Sequence, residues 1–381
     1  MKLPSPPDSL RRGPFRAGAF RSTLHDEQVA ARLGLWLGVT FVVCLVTGLV
    51  SHVAQHPPGW LPPLPSRPVQ LYRVNQGLHT LSGLCAVPLL LAKLFAVYPK
   101  LFSWPPARDV GHALERASLL LLVGGSLLQL GTGIMNVASW YAFGFSFPAV
   151  HFWLAWVVLG ALMTHVGVKL PVTKRALRRW DPEPSGNGLS RRGFVTAAGV
   201  GAGVLAVATM GVTVPRSAGL SVLGVRDPRV GPQGLPVNRT ARAAGIAEVD
   251  ATYRLVVRGA RVVELTLDEL RELPQTTARL PIACVEGWSA SAEWTGIRLL
   301  DLLAVAGADE GRPVHVDSLQ VGGSYRSSVL MEPHVADPLT LLALQLNGEP
   351  LHPDHGYPLR LIAPNRPGVL QTKWVNRLVM L

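Results

Sequence analysis

The feature that most constrains this chain is a set of long stretches without a single charged side chain. No Asp, Glu, Lys or Arg occurs between Arg32 and Arg67, between Arg73 and Lys93, between Arg116 and Lys169, or between Arg192 and Arg216. A helix crossing a bilayer needs about 20 mostly apolar residues. These windows predict four spans near 31–53, 75–97, 115–136 and 147–169, and a fifth, richer in Gly and Ala, near 194–214. The charges are also unevenly divided. Residues 1–196 carry nineteen Lys and Arg against seven Asp and Glu, a net +12, whereas residues 197–381 carry seventeen of each and are neutral. A basic nucleic-acid-binding domain in the C-terminal half is therefore excluded.

Orientation follows from the basic residues of the short connections. Arg11, Arg12, Arg16 and Arg21 precede the first span, Lys100 and Arg108 follow the second, and Lys169, Lys174, Arg175, Arg178 and Arg179 follow the fourth. The N-terminus, the second loop and the fourth loop are then cytoplasmic, and the C-terminal half lies outside. Lys93, near the inner end of span two, is expected to snorkel to the interface. Ser190-Arg191-Arg192-Gly193-Phe194-Val195 resembles a twin-arginine export signal placed internally. That pathway carries folded proteins, often with cofactor inserted. No small-residue cleavage site follows, so the span is expected to remain as an anchor.

From about residue 215 short β-branched runs replace the apolar windows: Tyr253–Val257, Arg261–Leu265, Val314–Val316 and Arg360–Ile362. Helical stretches at Leu267–Leu273 and Leu299–Ala306 intervene. The pattern predicts a mixed α+β domain large enough for one core. The expected organisation is a cytoplasmic segment (1–30), an all-α membrane helix bundle (31–170), a basic cytoplasmic linker (171–193), a fifth anchoring span (194–214) and an extracytoplasmic domain (215–381).

Seven of the eleven histidines lie before residue 170, and ionisable groups at membrane depth are functional by default. His151 and His165 are fourteen residues apart on span four, so they share one helix face about 21 Å apart along the axis. That spacing suits two haems stacked across a bilayer, each needing a second axial ligand. His79 is level with His151 on the outer side, and His25 with His165 on the inner side. His52 and His56 compete for the outer iron, and His112 at the inner side.

This arrangement resembles the dihaem cytochrome b subunit of formate dehydrogenases and nickel-iron hydrogenases over about residues 20–175. The resemblance implies two b haems, an outer one held by His79 and His151 and an inner one held by His25 and His165. It also implies electron exchange with membrane quinone.

Of three cysteines, Cys44 and Cys85 fall inside spans and read as packing residues. Cys284 stands alone in the outer domain, which suggests a reactive thiol or a metal ligand. Its surroundings, Pro281-Ile282-Ala283-Cys284-Val285-Glu286-Gly287-Trp288-Ser289 followed by Trp294-Thr295-Gly296-Ile297, resemble the molybdopterin domain of the sulfite oxidase superfamily. Within it they are most similar to the bacterial periplasmic methionine sulfoxide reductase catalytic subunit. A second block, Asp354-His355-Gly356-Tyr357-Pro358-Leu359-Arg360 and then Lys373-Trp374, extends the resemblance to about 230–381.

The resemblance implies molybdenum held by Cys284, a soft donor suited to it, and pterin contacts from His355, Arg360 and Lys373, with Asn238 also facing the cofactor. Cationic and N–H donors suit the pterin's phosphate. One departure matters. No Arg occurs in Val285–Ala292, where sulfite oxidases hold their anionic substrate, so a sulfite reading would need Arg298, Arg326 or Arg366.

The expectation is a bacterial multi-pass membrane enzyme of oxo transfer. It would reduce a small or protein-bound S-oxide or N-oxide with electrons from quinone. Two other expectations stand beside it: a molybdenum dehydrogenase, and a haem protein with a non-catalytic outer binding domain.

Overall fold

The computed structural model describes residues 19–102, 105, 107–178, 189–246, 249, 252–307 and 311–381. Arg11, Arg12, Arg16 and Arg179 of the charge argument, and most of the Pro/Gly-rich stretch 181–189, lie outside the described residues. The chain divides into two compact units that interleave in sequence. One comprises Met1–Val46 and His79–Ala208, the other Thr47–Leu78 and Thr209–Leu381.

The first unit is helical. Its helices belong to α1 (Glu27–Gln55), α2 (Leu71–Val97), α3 (Val110–Val137), α4 (Phe147–Arg178) and α5 (Arg191–Thr209). All five are long and apolar enough to cross a membrane. Each predicted window holds a helix; α1, α3 and α4 overrun theirs, α2 starts earlier, and α5 runs from Arg191 but stops at Thr209, short of the predicted 214. Asp109 caps α3 by accepting from the His112 N–H at 2.8 Å, which satisfies one of the open donors of the first turn. α4 continues through Lys174 and Arg175, so those basic residues lie on a helix rather than in a loop.

The interior of this unit is small. Val29, Leu33, Ala86, Leu89, Ala198 and Ala202 form its core, while Leu120 and Trp153 are 75% and 68% exposed. Apolar helix surface left this open is compatible with a membrane. Lys93 does not snorkel outward. Its ammonium lies against α1, donating to the Ala30 carbonyl at 2.9 Å. Gly34 makes the room, since a Cβ there would meet Lys93 Nζ at 2.6 Å. Arg191 of the twin-arginine motif is likewise folded in, 3.4 Å from Asp26.

The second unit holds two sheets. In the first, β1 (Arg254–Arg258), β2 (Val262–Thr266), β5 (Val314–Ser318), β6 (Ser327–Leu330) and β10 (Val375–Met380) run in the order β2-β1-β10-β5-β6. Only the β1–β10 pair is parallel. In the second, β3 (Thr276–Ala283), β4 (Ser289–Arg298), β7 (Leu341–Leu346) and β8 (Glu349–Pro350) follow in order, with β9 (Arg360–Ile362) on β7. Short helices α6 (Leu267–Glu272), α7 (Leu299–Val305) and α8 (Glu332–Val335) complete the unit. Thr266 and Glu269 form a capping box that starts α6. One core gathers Leu255, Leu270, Ile297, Leu302 and Leu378. A second, around Trp288, Trp294 and Leu346, includes Cys284.

The connection between α1 and α2 belongs to this unit. Arg67 makes a bidentate pair with Asp337, at 2.8 and 3.0 Å. Asn365 donates to the Pro65 carbonyl at 2.7 Å and accepts from the Tyr72 N–H at 2.6 Å. Val69 packs on the core that contains Cys284. This Pro-rich connection is thus a docked segment.

Candidate functional site

β3 and β4 pair along their length, ending at Ala283 opposite Ser289. The five residues between them, Cys284–Trp288, form a closed turn. Cys284 N–H donates to the Trp288 carbonyl at 2.9 Å, and Gly287 N–H donates to the Cys284 carbonyl at 3.0 Å. Gly287 adopts φ +85°, a conformation open to glycine at little cost. The turn is pinned from its side chains as well. Glu286 accepts from Arg226 at 2.9 Å and from Trp288 Nε1 at 3.1 Å.

Cys284, 2% exposed, opens onto a narrow crevice lined by Pro236, Asn238, Ile282, Cys284, Trp288, Arg360, Gly368 and Lys373. Four residues singled out from sequence, Cys284, Asn238, Arg360 and Lys373, therefore come together. His355 does not line the crevice. It is buried, and its Nε2 donates to the Pro232 carbonyl at 2.8 Å. Trp288, Ile282, Pro236 and Gly368 were not anticipated as lining. Trp288 could have been, because it sits in the motif around Cys284. Gly368 forms the wall against the cysteine strand, where a Cβ would lie 2.8 Å from the Ala283 carbonyl oxygen.

The crevice is cationic, and its charged side chains are buried. Arg360 is 2% exposed. It donates to the His355 carbonyl at 3.1 Å and lies over the Trp294 ring at 5.2 Å. Its Nε has no hydrogen-bond partner. Lys373 donates to the carbonyls of Arg239 and Asp354, at 2.9 and 2.8 Å. Burial pushes the Arg360 guanidinium down to about 9 and lowers Lys373 well below its ordinary value. Burial first, then the Glu286 charge, pushes the Cys284 thiol up to about 12. Burial, and then Arg360, lowers His355 to about 4, so its ring is neutral.

Two buried cations with only carbonyls for partners, an orphaned guanidinium nitrogen and a soft sulfur are a donor set that fits an anionic, metal-bearing cofactor. Among the described residues no group of three or more His, Cys, Asp or Glu could hold a bare metal ion.

The three arginines considered for an anionic substrate are placed elsewhere. Arg298 pairs with Asp301 at 2.7 Å. Arg366 donates to the carbonyls of Leu370 and Val329. Arg326 is exposed. None lines the crevice.

The helical unit brings together one histidine pair. The rings of His79 and His151 face each other with centroids 6.1 Å apart at 74°. His79 Nδ1 donates to the Cys44 carbonyl at 3.0 Å. Thr132 Oγ1 donates to the Leu128 carbonyl, so it accepts from His151 Nδ1 at 3.0 Å. Both rings then carry their lone pair on Nε2. His25 and His165 make no ring contact with each other. His25 bonds the Phe95 carbonyl through Nδ1 at 3.0 Å and is boxed by Phe95 and Tyr98. His165 Nδ1 is buried without a partner. His52 and His56 stack on each other, centroids 4.8 Å apart, and His112 Nδ1 accepts from the Arg108 N–H.

Comparison with known proteins places one family match on the second unit. The family described as oxidoreductase molybdopterin binding domain matches residues 243–381. Mitochondrial sulfite oxidase of Rattus norvegicus is 32% identical over 156 residues, covering 33% of this chain and 28% of that protein. A protein of Azospira oryzae, YedZ1, provisionally assigned as a protein-methionine-sulfoxide reductase subunit, is 34% identical over 140 residues, covering 35% of this chain and 51% of that one. The solved sulfane dehydrogenase SoxCD of Paracoccus pantotrophus aligns at 28% identity and a TM-score of 0.33, over 35% of this chain and 39% of that one. The chain thus spans under a third of the sulfite oxidase and about half of the Azospira protein. Residues 243–381 are a molybdopterin-binding oxidoreductase domain of the sulfite oxidase superfamily.

Proposed function

We propose that this chain is a membrane-anchored molybdenum enzyme that reduces an S-oxide or N-oxide with electrons drawn from quinone through two b haems. The observation that carries it is the crevice in which Cys284 meets Arg360 and Lys373, inside a molybdopterin-binding domain. Cys284 would hold the metal, and Arg360 and Lys373 the anionic end of the pterin, with Asn238 beside it. His355 would act from behind, its carbonyl orienting Arg360.

The bound centre supplies two-electron oxo transfer. The chain's own part is to exclude water, to lose the Cys284 proton on metal binding, and to neutralise the cofactor's charge with cations that otherwise lack a carboxylate. Glu286, held by Arg226, fixes the turn that carries the sulfur. The absence of Arg298, Arg326 and Arg366 from the crevice favours a neutral oxide over sulfite, because an anion would need desolvated positive charge of its own. The resemblance to the Azospira protein agrees with an S-oxide.

For the helical unit, the facing pair His79 and His151 supports an outer haem. Two metal–imidazole bonds of about 2 Å, plus two ring radii of about 1.1 Å, give a centroid spacing close to the observed 6.1 Å. Fixing of Nδ1 by a carbonyl and by a hydroxyl is the outer-shell support expected of ligating histidines. His25 is held in the same way, by Nδ1 on the Phe95 carbonyl, but its ring does not meet that of His165, so an inner haem would require the two rings to be brought to face each other.

The test is metal per chain in the detergent-purified protein. One molybdenum and two b-type haems are expected. Cys284→Ala should lose molybdenum and turnover yet keep the haem spectrum, and His151→Ala should lose one haem. Iron without molybdenum from molybdate-supplied cells would refute the enzyme reading.

A further inference from the structure

We propose that Tyr72, in the first turn of α2, is the side chain through which single electrons reach the molybdenum site at Cys284. The inference rests on the haem and molybdenum reading above and goes beyond it by naming the route.

The first turn of α2 is bonded to β4, the strand that follows the Cys284 turn, and to the loop that leads to Gly368. Arg73 donates to Ser291 Oγ of β4 at 3.0 Å. The Tyr72 N–H donates to Asn365 Oδ1 at 2.6 Å, and Asn365 lies three residues before the crevice wall at Gly368. Val69, one turn earlier, packs on the core that holds Cys284.

The Tyr72 ring is 5% exposed. The Tyr72 hydroxyl is itself fixed at 3.0 Å from Ser51 Oγ, which donates to Gln76 at 3.1 Å. A π-system buried on the cysteine side and locked in a polar chain is a rigid, water-free medium for an electron.

The other end of the route is written in the same helix. α2 continues without a break, and His79 follows Tyr72 by seven residues. That is two turns along one face, about 10 Å of helix rise. Tyr72, Gln76 and His79 thus form a single stripe.

Reducing an S-oxide to a sulfide and water takes two electrons and two protons. A haem iron yields one electron at a time as Fe(II) becomes Fe(III), so the route is used twice per turnover. The protons come from solvent, and no bond to Tyr72 forms or breaks.

The test separates arrival of electrons from chemistry at molybdenum. Full-length protein with haem reduced by dithionite is mixed with dimethyl sulfoxide, and loss of the reduced haem band is followed by stopped flow. In parallel, reduced benzyl viologen serves as a donor to the molybdenum site. Tyr72→Leu should slow haem oxidation by ~tenfold or more, with viologen-driven turnover and metal content unchanged. Tyr72→Phe, which keeps the ring and the packing, should behave as wild type.

Unchanged haem oxidation in Tyr72→Leu overturns the route, as does an equal loss in both assays, which marks a structural role. Should Tyr72→Leu not fold, Tyr72→Met is read by the same two rates. Wild-type haem that the sulfoxide does not oxidise would refute instead the underlying haem-to-molybdenum reading.

Discussion

Replacing Arg360 by Met should make the cofactor-free protein more stable while destroying its ability to keep molybdenum. Burial takes the guanidinium from its ordinary 12.5 down to about 9. At 1.36 kcal/mol per pH unit that is a penalty of roughly 4–5 kcal/mol on the charged form. The contact with the Trp294 ring returns about 1–2 kcal/mol, and the bond to the His355 carbonyl about 1–2 kcal/mol.

A methionine fills similar volume without the charge, so the net gain is about 1–3 kcal/mol, the range expected when a buried ion gives way to a hydrophobe. For a unit of this size that raises the melting temperature by about 3–9 °C. The assay is thermal unfolding of wild type and Arg360→Met from cells that cannot make molybdopterin, beside molybdenum content from cells that can. The pH dependence adds a second signature. The folded value lies below the unfolded one, so between them the unfolded chain binds more protons and stability rises with pH. Cofactor-free wild type should therefore gain stability as pH climbs through about 9, and its deficit against Arg360→Met should shrink. Arg366 and Lys373 contribute with the same sign in both proteins. A variant that melts lower than wild type and retains molybdenum refutes the assignment.

Two further outcomes are expected. Gly368→Ala puts a methyl 2.8 Å from the Ala283 carbonyl, which should cost about 1–3 kcal/mol and empty the crevice of molybdenum; normal metal content with an unchanged melt would remove Gly368 from the wall. Arg67→Ala leaves Asp337, 3% exposed at its side chain, without its ion pair. Burial works to raise that carboxyl, but hydrogen bonds from Arg67, the Leu339 N–H and Ser66 hold it below its ordinary 3.8. Its contribution is present above the unfolded value and lost as pH falls through the lower folded one. Acid unfolding followed by circular dichroism should therefore begin at a higher pH in Arg67→Ala, and an unshifted acid limb would refute the pairing.

Charge-free windows located all five long helices, because exclusion of Asp, Glu, Lys and Arg over twenty residues has few causes besides an apolar solvent. Short β-branched runs revealed β1, β2, β5 and β9. The hairpin that presents Cys284 was less legible. β3 contains Pro281 and Arg279, β4 is built from Ser and Ala at its first four positions, and β7 reads Leu-Leu-Ala-Leu-Gln-Leu. β7 has no β-branched residue and β4 only Thr295 and Ile297, and cross-strand packing overrides their propensity. Cys284, Arg360 and Lys373 could be grouped by motif, but the facing of Cys284 to Arg360 depends on β7 lying between their strands. Lys93 was misjudged because the notch that receives it is made by Gly34, fifty-nine positions away in sequence.

The interleaving of the two units has a consequence for biogenesis. Arg67 leaves the ribosome 270 residues before Asp337, a wait of roughly 15–50 s at 5–20 residues per second. The segment Thr47–Leu78 therefore cannot template the later domain as it emerges. It is the last piece of that unit's surface to be completed, closing only after β7 and the Asn365 loop exist. A fragment starting near residue 215 would be made whole in sequence yet lack one flank, leaving Asp337 and Asn365 to face water where Arg67, Pro65 and Tyr72 now meet them.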